Sequence, residues 1–67
     1  MRKSAMYANR PRSRLLVLME QAALLEREAC FEDAAHYWLA SLELAEKWNI
    51  RHWCEARASL CQKRTIT

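Results

Sequence analysis

The groups in this chain best suited to covalent or metal chemistry are three thiols, Cys30, Cys54 and Cys61, and two imidazoles, His36 and His52. A thiolate beside an imidazole makes a nucleophile and its base, and four such ligands close a tetrahedral zinc site. The spacing here serves neither. His52 and Cys54 stand two apart, so on a helix their side chains diverge by about 200°. Cys54 and Cys61 have six residues between them and match no closed zinc pattern. His36 falls on the polar side of its helix with Glu32, Glu43 and Lys47, a side that should face solvent. The cysteines then read as small apolar fillers. Their odd number, with no secretory signal ahead of them, fits reduced thiols in a cytosolic chain. No catalytic residue, metal or cofactor is expected, and the chain is read as not an enzyme.

The elements that carry these residues follow from composition and period. Sixty-seven residues with one proline and no glycine hold at most one small domain. The missing glycine removes phosphate-cradling loops and the tight hairpins of a small β-protein. Such a domain buries roughly 60% of its unfolded surface, which leaves it in need of a staple or a partner. No apolar run approaches the roughly 20 residues of a membrane span, so the stabiliser left is another protein surface.

Apolar positions Leu15, Leu18, Ala22, Leu25 and Ala29 recur at spacings of three and four, with Leu16, Met19 and Ala23 widening the stripe. They predict a helix over about 13–29, capped by Ser13 or Asn9. Phe31, Ala34, Ala35, Trp38, Leu42 and Ala45 predict a second helix over 32–48, with Glu32 and Asp33 at its positive end and Asn49 as its left-handed stop. Ile50, Trp53, Leu60 and Cys61 predict a third over 50–63, with a frayed tail at 65–67.

Charge divides into a basic arm, an acidic body and a basic end. Residues 1–14 carry five cations and no acid, residues 15–50 seven acids against Arg27 and Lys47, and the remainder four cations against Glu55. Residues 1–12 are expected to form a flexible basic arm, either simply solvated or aimed at phosphates or an acidic protein patch. The acidic body opposes non-specific DNA binding.

Leu18, Ala22, Leu25, Phe31, Ala34, Trp38 and Leu42 fall at the offsets of a tetratricopeptide helical hairpin, in which small residues let two antiparallel helices approach. Ala22 and Ala34 take the small positions, Phe31 and Trp38 the aromatic ones. Only one copy fits, so the third helix is expected to cap the hairpin. The fold class is all-α: a three-helix, tetratricopeptide-like hairpin with a capping third helix, within a single domain over 13–64.

The string Ala22, Ala23, Glu26, Arg27, Phe31, Ala34, Trp38, Ala45, Asn49, Trp53, Arg57 and Cys61 resembles the AraC negative regulator family of enteric bacterial pathogens. The likeness covers residues 22–61, and its most distinctive part is the W-x3-R-x3-C segment formed by Trp53, Arg57 and Cys61. Ala29 and Cys30 depart from the family's glycine-containing turn. The resemblance implies a small regulator of virulence genes in the bacterial cytoplasm that binds AraC-type transcription activators and blocks their dimerisation or DNA binding. It also implies nucleoid proteins of the H-NS and Hha class as partners. No catalytic residues come with it.

A small helix-turn-helix DNA-binding protein is the alternative. The third helix offers Arg51, His52, Glu55, Ser59 and Lys63, a mixed set poorly suited to base reading, so direct DNA binding is disfavoured. Protein binding is favoured by what the helices leave uncovered. Val17 and Leu24 lie one heptad apart, nearly opposite the main stripe of the first helix, and Tyr37, Leu44 and Trp48 flank the hairpin face of the second. Val17 and Leu24 are either tolerated exposed aliphatics, a homodimer contact or a site for an activator's dimerisation helix. Two charges intrude on apolar stripes. Glu26 projects about 20° from Leu15, and Arg57 lies between Ile50 and Trp53. Either the two side chains meet as an ion pair, with the guanidinium along Trp53 or Trp38, or both reach solvent at the stripe edges.

Overall fold

A computed structural model describes residues 13–66. They form three α-helices: α1 (Arg14–Arg27), α2 (Phe31–Leu44) and α3 (Trp48–Ile66). The expected basic arm, Asn9 and Thr67 lie outside the described residues. α1 and α3 each pack along α2 and hardly touch each other, so α2 is the middle of the three.

Ser13 caps α1: its backbone is extended, and its hydroxyl accepts the Leu16 N–H at 3.4 Å. At the other end Ala29 takes φ 62°, the left-handed conformation that glycine holds most cheaply. The Ala29 N–H donates to Glu26 O and the Cys30 N–H to Leu25 O at 2.8 Å, which together form a Schellman closure. The hairpin turn is therefore a glycine-type turn made by alanine. Cys30 is exposed there, in contrast to the filler role expected of all three thiols.

α2 ends at Leu44, four residues before the expected Trp48, and Asn49 lies inside α3 rather than at a left-handed stop. The physical reason is tertiary. Ala45 turns extended and is buried, and the Arg51 guanidinium donates to the carbonyls of Leu42 and Ala45, each at 3.0 Å. Arg51 thus satisfies carbonyl groups at the helix end that a left-handed Asn49 was expected to close. Trp48 consequently opens α3 instead of ending α2. The far end also differs from expectation. Thr65 and Ile66 remain helical, the Thr65 hydroxyl donating to Cys61 O at 2.9 Å, while Arg64 lies 5.2 Å from the centre of the Phe31 ring. The Arg64 contact ties the last turn to the start of α2.

The buried set consists of Ala22 from α1, Ala34, Ala35, Trp38 and Ser41 from α2, Cys54, Ala58 and Cys61 from α3, and Ala45 in the connection. Trp38 is the one large side chain among them. Small residues at Ala22 and Ala34 let the backbones of the hairpin close on one another, and Cys54, Ala58 and Cys61 do the same for α3 on α2. The core face of α3 is this small-residue stripe; Trp53 and Leu60, expected to define that face, stay 50% and 37% exposed.

Candidate functional site

All three helices contribute to one polar cluster centred on Glu26. Its side chain keeps 14% of its surface and accepts hydrogen bonds from the indole N–H of Trp38 at 2.5 Å and from Arg57 Nε at 3.2 Å. A second Arg57 nitrogen closes a bidentate ion pair on the other carboxylate oxygen. The Cys61 thiol lies near the same carboxylate and helps to lower its pKa. The structure therefore brings Glu26 and Arg57 together, and joins α1 to α3 where the helices otherwise scarcely meet. Arg57 also lies 5.4 Å from the centre of the Trp53 ring. Trp53, Arg57 and Cys61 stand four residues apart on one side of α3, so one helical face brings a cation and a thiol to the carboxylate and sets the Trp53 ring against the cation.

The charge balance follows from this crowding. Burial pushes the Glu26 pKa up, but hydrogen bonds from Arg57 and Trp38, the Arg57 charge and the Cys61 thiol outweigh it and hold the carboxyl below its ordinary value. The Glu26 hydrogen bond raises the Arg57 pKa against an opposing effect of desolvation. Burial, then the Glu26 charge, pushes the Cys61 thiol up, and burial alone does so for Cys54. Both thiols thus keep their protons near neutral pH. His52 is exposed and stacks edge-on to Trp48 with ring centres 5.8 Å apart. Among the described residues, no group of three or more His, Cys, Asp or Glu side chains could hold a metal ion.

Beyond the cluster, α1 and α3 diverge and leave a groove of about 620 Å³. Leu16, Met19 and Ala23 form its α1 wall, Trp53 its α3 wall and Trp38 its floor, while the Glu26–Arg57 pair closes one end. Glu20 and Arg27 sit at the rim. Sequence reasoning placed Leu16, Met19 and Ala23 in the widened core stripe of the first helix. Leu16 and Ala23 instead stand exposed along the groove, while Met19 both lines it and packs against the buried core. The role of the Trp38 N–H was also missed, although a buried indole needs an acceptor and Glu26 was the intruding carboxylate.

The remaining candidate residues are placed as follows. Ala22 and Ala34 are fully buried, Phe31 is half-buried beneath Arg64, and Trp48 is 74% exposed. Val17, Leu24, Tyr37 and Leu44 are exposed, and α3 does not cover them. No helix among the described residues is long and apolar enough to cross a membrane. No known family model, curated protein or solved structure matches the chain.

Proposed function

We propose that this protein is a negative transcriptional regulator that works by protein–protein binding, and that its α1–α3 groove receives an apolar segment of an AraC-type activator. One observation carries the binding part of this reading: several large apolar side chains are left outside the protein's own core, two of them facing each other across one groove. Leu16 and Trp53 are each 50% exposed on opposite walls of one groove, while the interior is built from alanine, cysteine and serine around Trp38. Large exposed apolar surface with a polar rim marks an interaction site. The groove has an indole floor and wall, which suits insertion of aliphatic or aromatic side chains from a helix.

The words regulator and activator rest on the resemblance of residues 22–61 to the AraC negative regulator family. Within that pattern, Glu26, Trp38, Trp53, Arg57 and Cys61 are the residues that build the closed end of the groove. Occupying the activator's oligomerisation surface is the mechanism: the bound activator loses dimerisation, and with it DNA binding. Nucleoid proteins of the H-NS and Hha class are proposed as a second class of partner, and the bacterial cytoplasm as the location. Direct DNA reading has weaker support. Cations of α3 are turned onto the protein itself, Arg51 onto carbonyls of Leu42 and Ala45, Arg57 onto Glu26 and Arg64 onto Phe31.

The test is an electrophoretic shift of promoter DNA by a purified AraC-type activator, with this protein added in increasing amounts. The activator–DNA band should vanish without any band of this protein on DNA alone. Leu16→Lys, at a position 50% exposed on the groove wall, should abolish the effect while leaving helicity intact. Binding of this protein to the DNA itself would overturn the reading in favour of the helix-turn-helix alternative.

A further inference from the structure

The hairpin has a second face, and its residues form a different pattern. Met19 and Glu26 of α1 line the groove shared with α3, and Ala35 and Leu39 of α2 line a smaller hollow shared with Gln62 and Thr65 of α3. α3 therefore lies on one face of the α1–α2 hairpin. At about 100° per residue, Val17, Gln21 and Leu24 project from the opposite side of α1, and Tyr37 and Leu44 from the opposite side of α2. Val17 and Leu24 are 46% and 38% exposed, and nothing among the described residues covers them.

Along α1 and onto its C-cap this face runs Arg14, Val17, Gln21, Leu24 and Glu28, all exposed and spaced three, four, three and four. That is the seam of a helix that pairs lengthwise with another. The order of side chains identifies the other helix. One end of the seam is a cation, the other an anion, the two apolar positions lie between, and a neutral amide sits at the centre. Such a seam complements itself when reversed. In a parallel pair Arg14 would meet Arg14 and Glu28 would meet Glu28; turned end for end, both charged positions are paired.

We infer that a second copy of this chain occupies the face, in an isologous antiparallel pair of α1 helices centred on Gln21. The two-fold axis sets Gln21 beside the partner's Gln21, Val17 against the partner's Leu24, and Arg14 against the partner's Glu28. Tyr37 and Leu44 border the seam on the same side and widen its apolar strip. The groove opens on the opposite face and stays accessible, so a protein could hold its second copy and an activator together. The pairing goes beyond the proposed function and stands or falls without it.

Sedimentation equilibrium of the full chain tests this, with circular dichroism to confirm helicity of each variant. The wild-type chain sediments as a dimer, and Val17→Lys with Leu24→Lys sediments as a helical monomer at the same concentrations. Arg14→Glu and Glu28→Arg each weaken the dimer about tenfold, because either change creates two like-charge contacts across the axis. Combining Arg14→Glu with Glu28→Arg restores it. A wild-type chain that stays monomeric to millimolar concentration overturns the inference, as does a dimer that survives the lysine pair. If the lysine pair unfolds the chain, the charge series at the exposed ends decides: a double reversal no tighter than either single one excludes the antiparallel axis.

Discussion

Replacing Glu26 by glutamine keeps the size of the side chain and removes its charge, which isolates what the cluster contributes to the fold. Arg57 loses its charge-assisted hydrogen bonds, worth about 1.5–3 kcal/mol in general. Because the Arg57 side chain keeps 31% of its surface, water recovers part of that loss, and the net cost should be about 2 kcal/mol. Arg57→Met strands the carboxylate instead. Glu26 keeps only 14% exposure but retains the Trp38 donor, so this variant should also lose about 2–3 kcal/mol. For a domain with about 5 kcal/mol in total, either change should lower the melting temperature by roughly 10 °C. The double variant removes both partners and should lose about 3 kcal/mol, leaving a coupling of at least ~1 kcal/mol in the cycle. Urea unfolding followed by circular dichroism measures all four proteins. Additive losses would refute the claim that this pair joins α1 to α3.

Three further outcomes follow from the same contacts. Ala29→Gly should stabilise the protein by about 1 kcal/mol, read as a higher urea midpoint at unchanged slope, because Ala29 holds φ 62°. Since the folded pKa of Glu26 is depressed, its contribution is complete above the ordinary glutamate value, near pH 4.3, and is lost as pH falls through the lower folded value. Stability measured downward from pH 6 should therefore fall less steeply in Glu26→Gln than in the wild type. Trp38→Phe removes the N–H given to Glu26 together with part of the ring's volume and should cost about 2–3 kcal/mol, whereas Trp38→Ala empties the core's one large position and should cost about 3–5 kcal/mol, enough to unfold the chain in thermal melts.

What could be read directly from the sequence was whatever depends on one helix at a time. The three-and-four spacing located all three helices, and the wheel angles of Glu26 and Arg57 marked both as intruders on apolar stripes. Ala22 and Ala34 were recognisable as close-approach positions because small residues sit between larger ones at helical spacing. The end of α2 was not legible, since Asn49 is a local stop signal whereas the observed stop depends on Arg51 reaching back from another helix. The core face of α3 was misread for a related reason. Trp53 and Leu60 outweigh Cys54 and Ala58 in hydrophobicity, but α3 packs closely enough on α2 that only the small side chains fit between them. The groove depends on where α3 lies relative to α1, and no periodicity within either helix encodes that.

The α1–α3 groove is the surface proposed to receive the activator. Trp53 on the groove wall reports on it, because Trp38 is buried and Trp48 can be replaced by phenylalanine at its exposed position. Titrating a purified AraC-type activator, its own tryptophans replaced, into the Trp48→Phe protein should shift the Trp53 emission to the blue and protect it from acrylamide quenching, with saturation at one activator chain per groove. Leu16→Lys should remove that response. An activator that binds with Trp53 still fully quenchable would contradict the account and place the contact on another face.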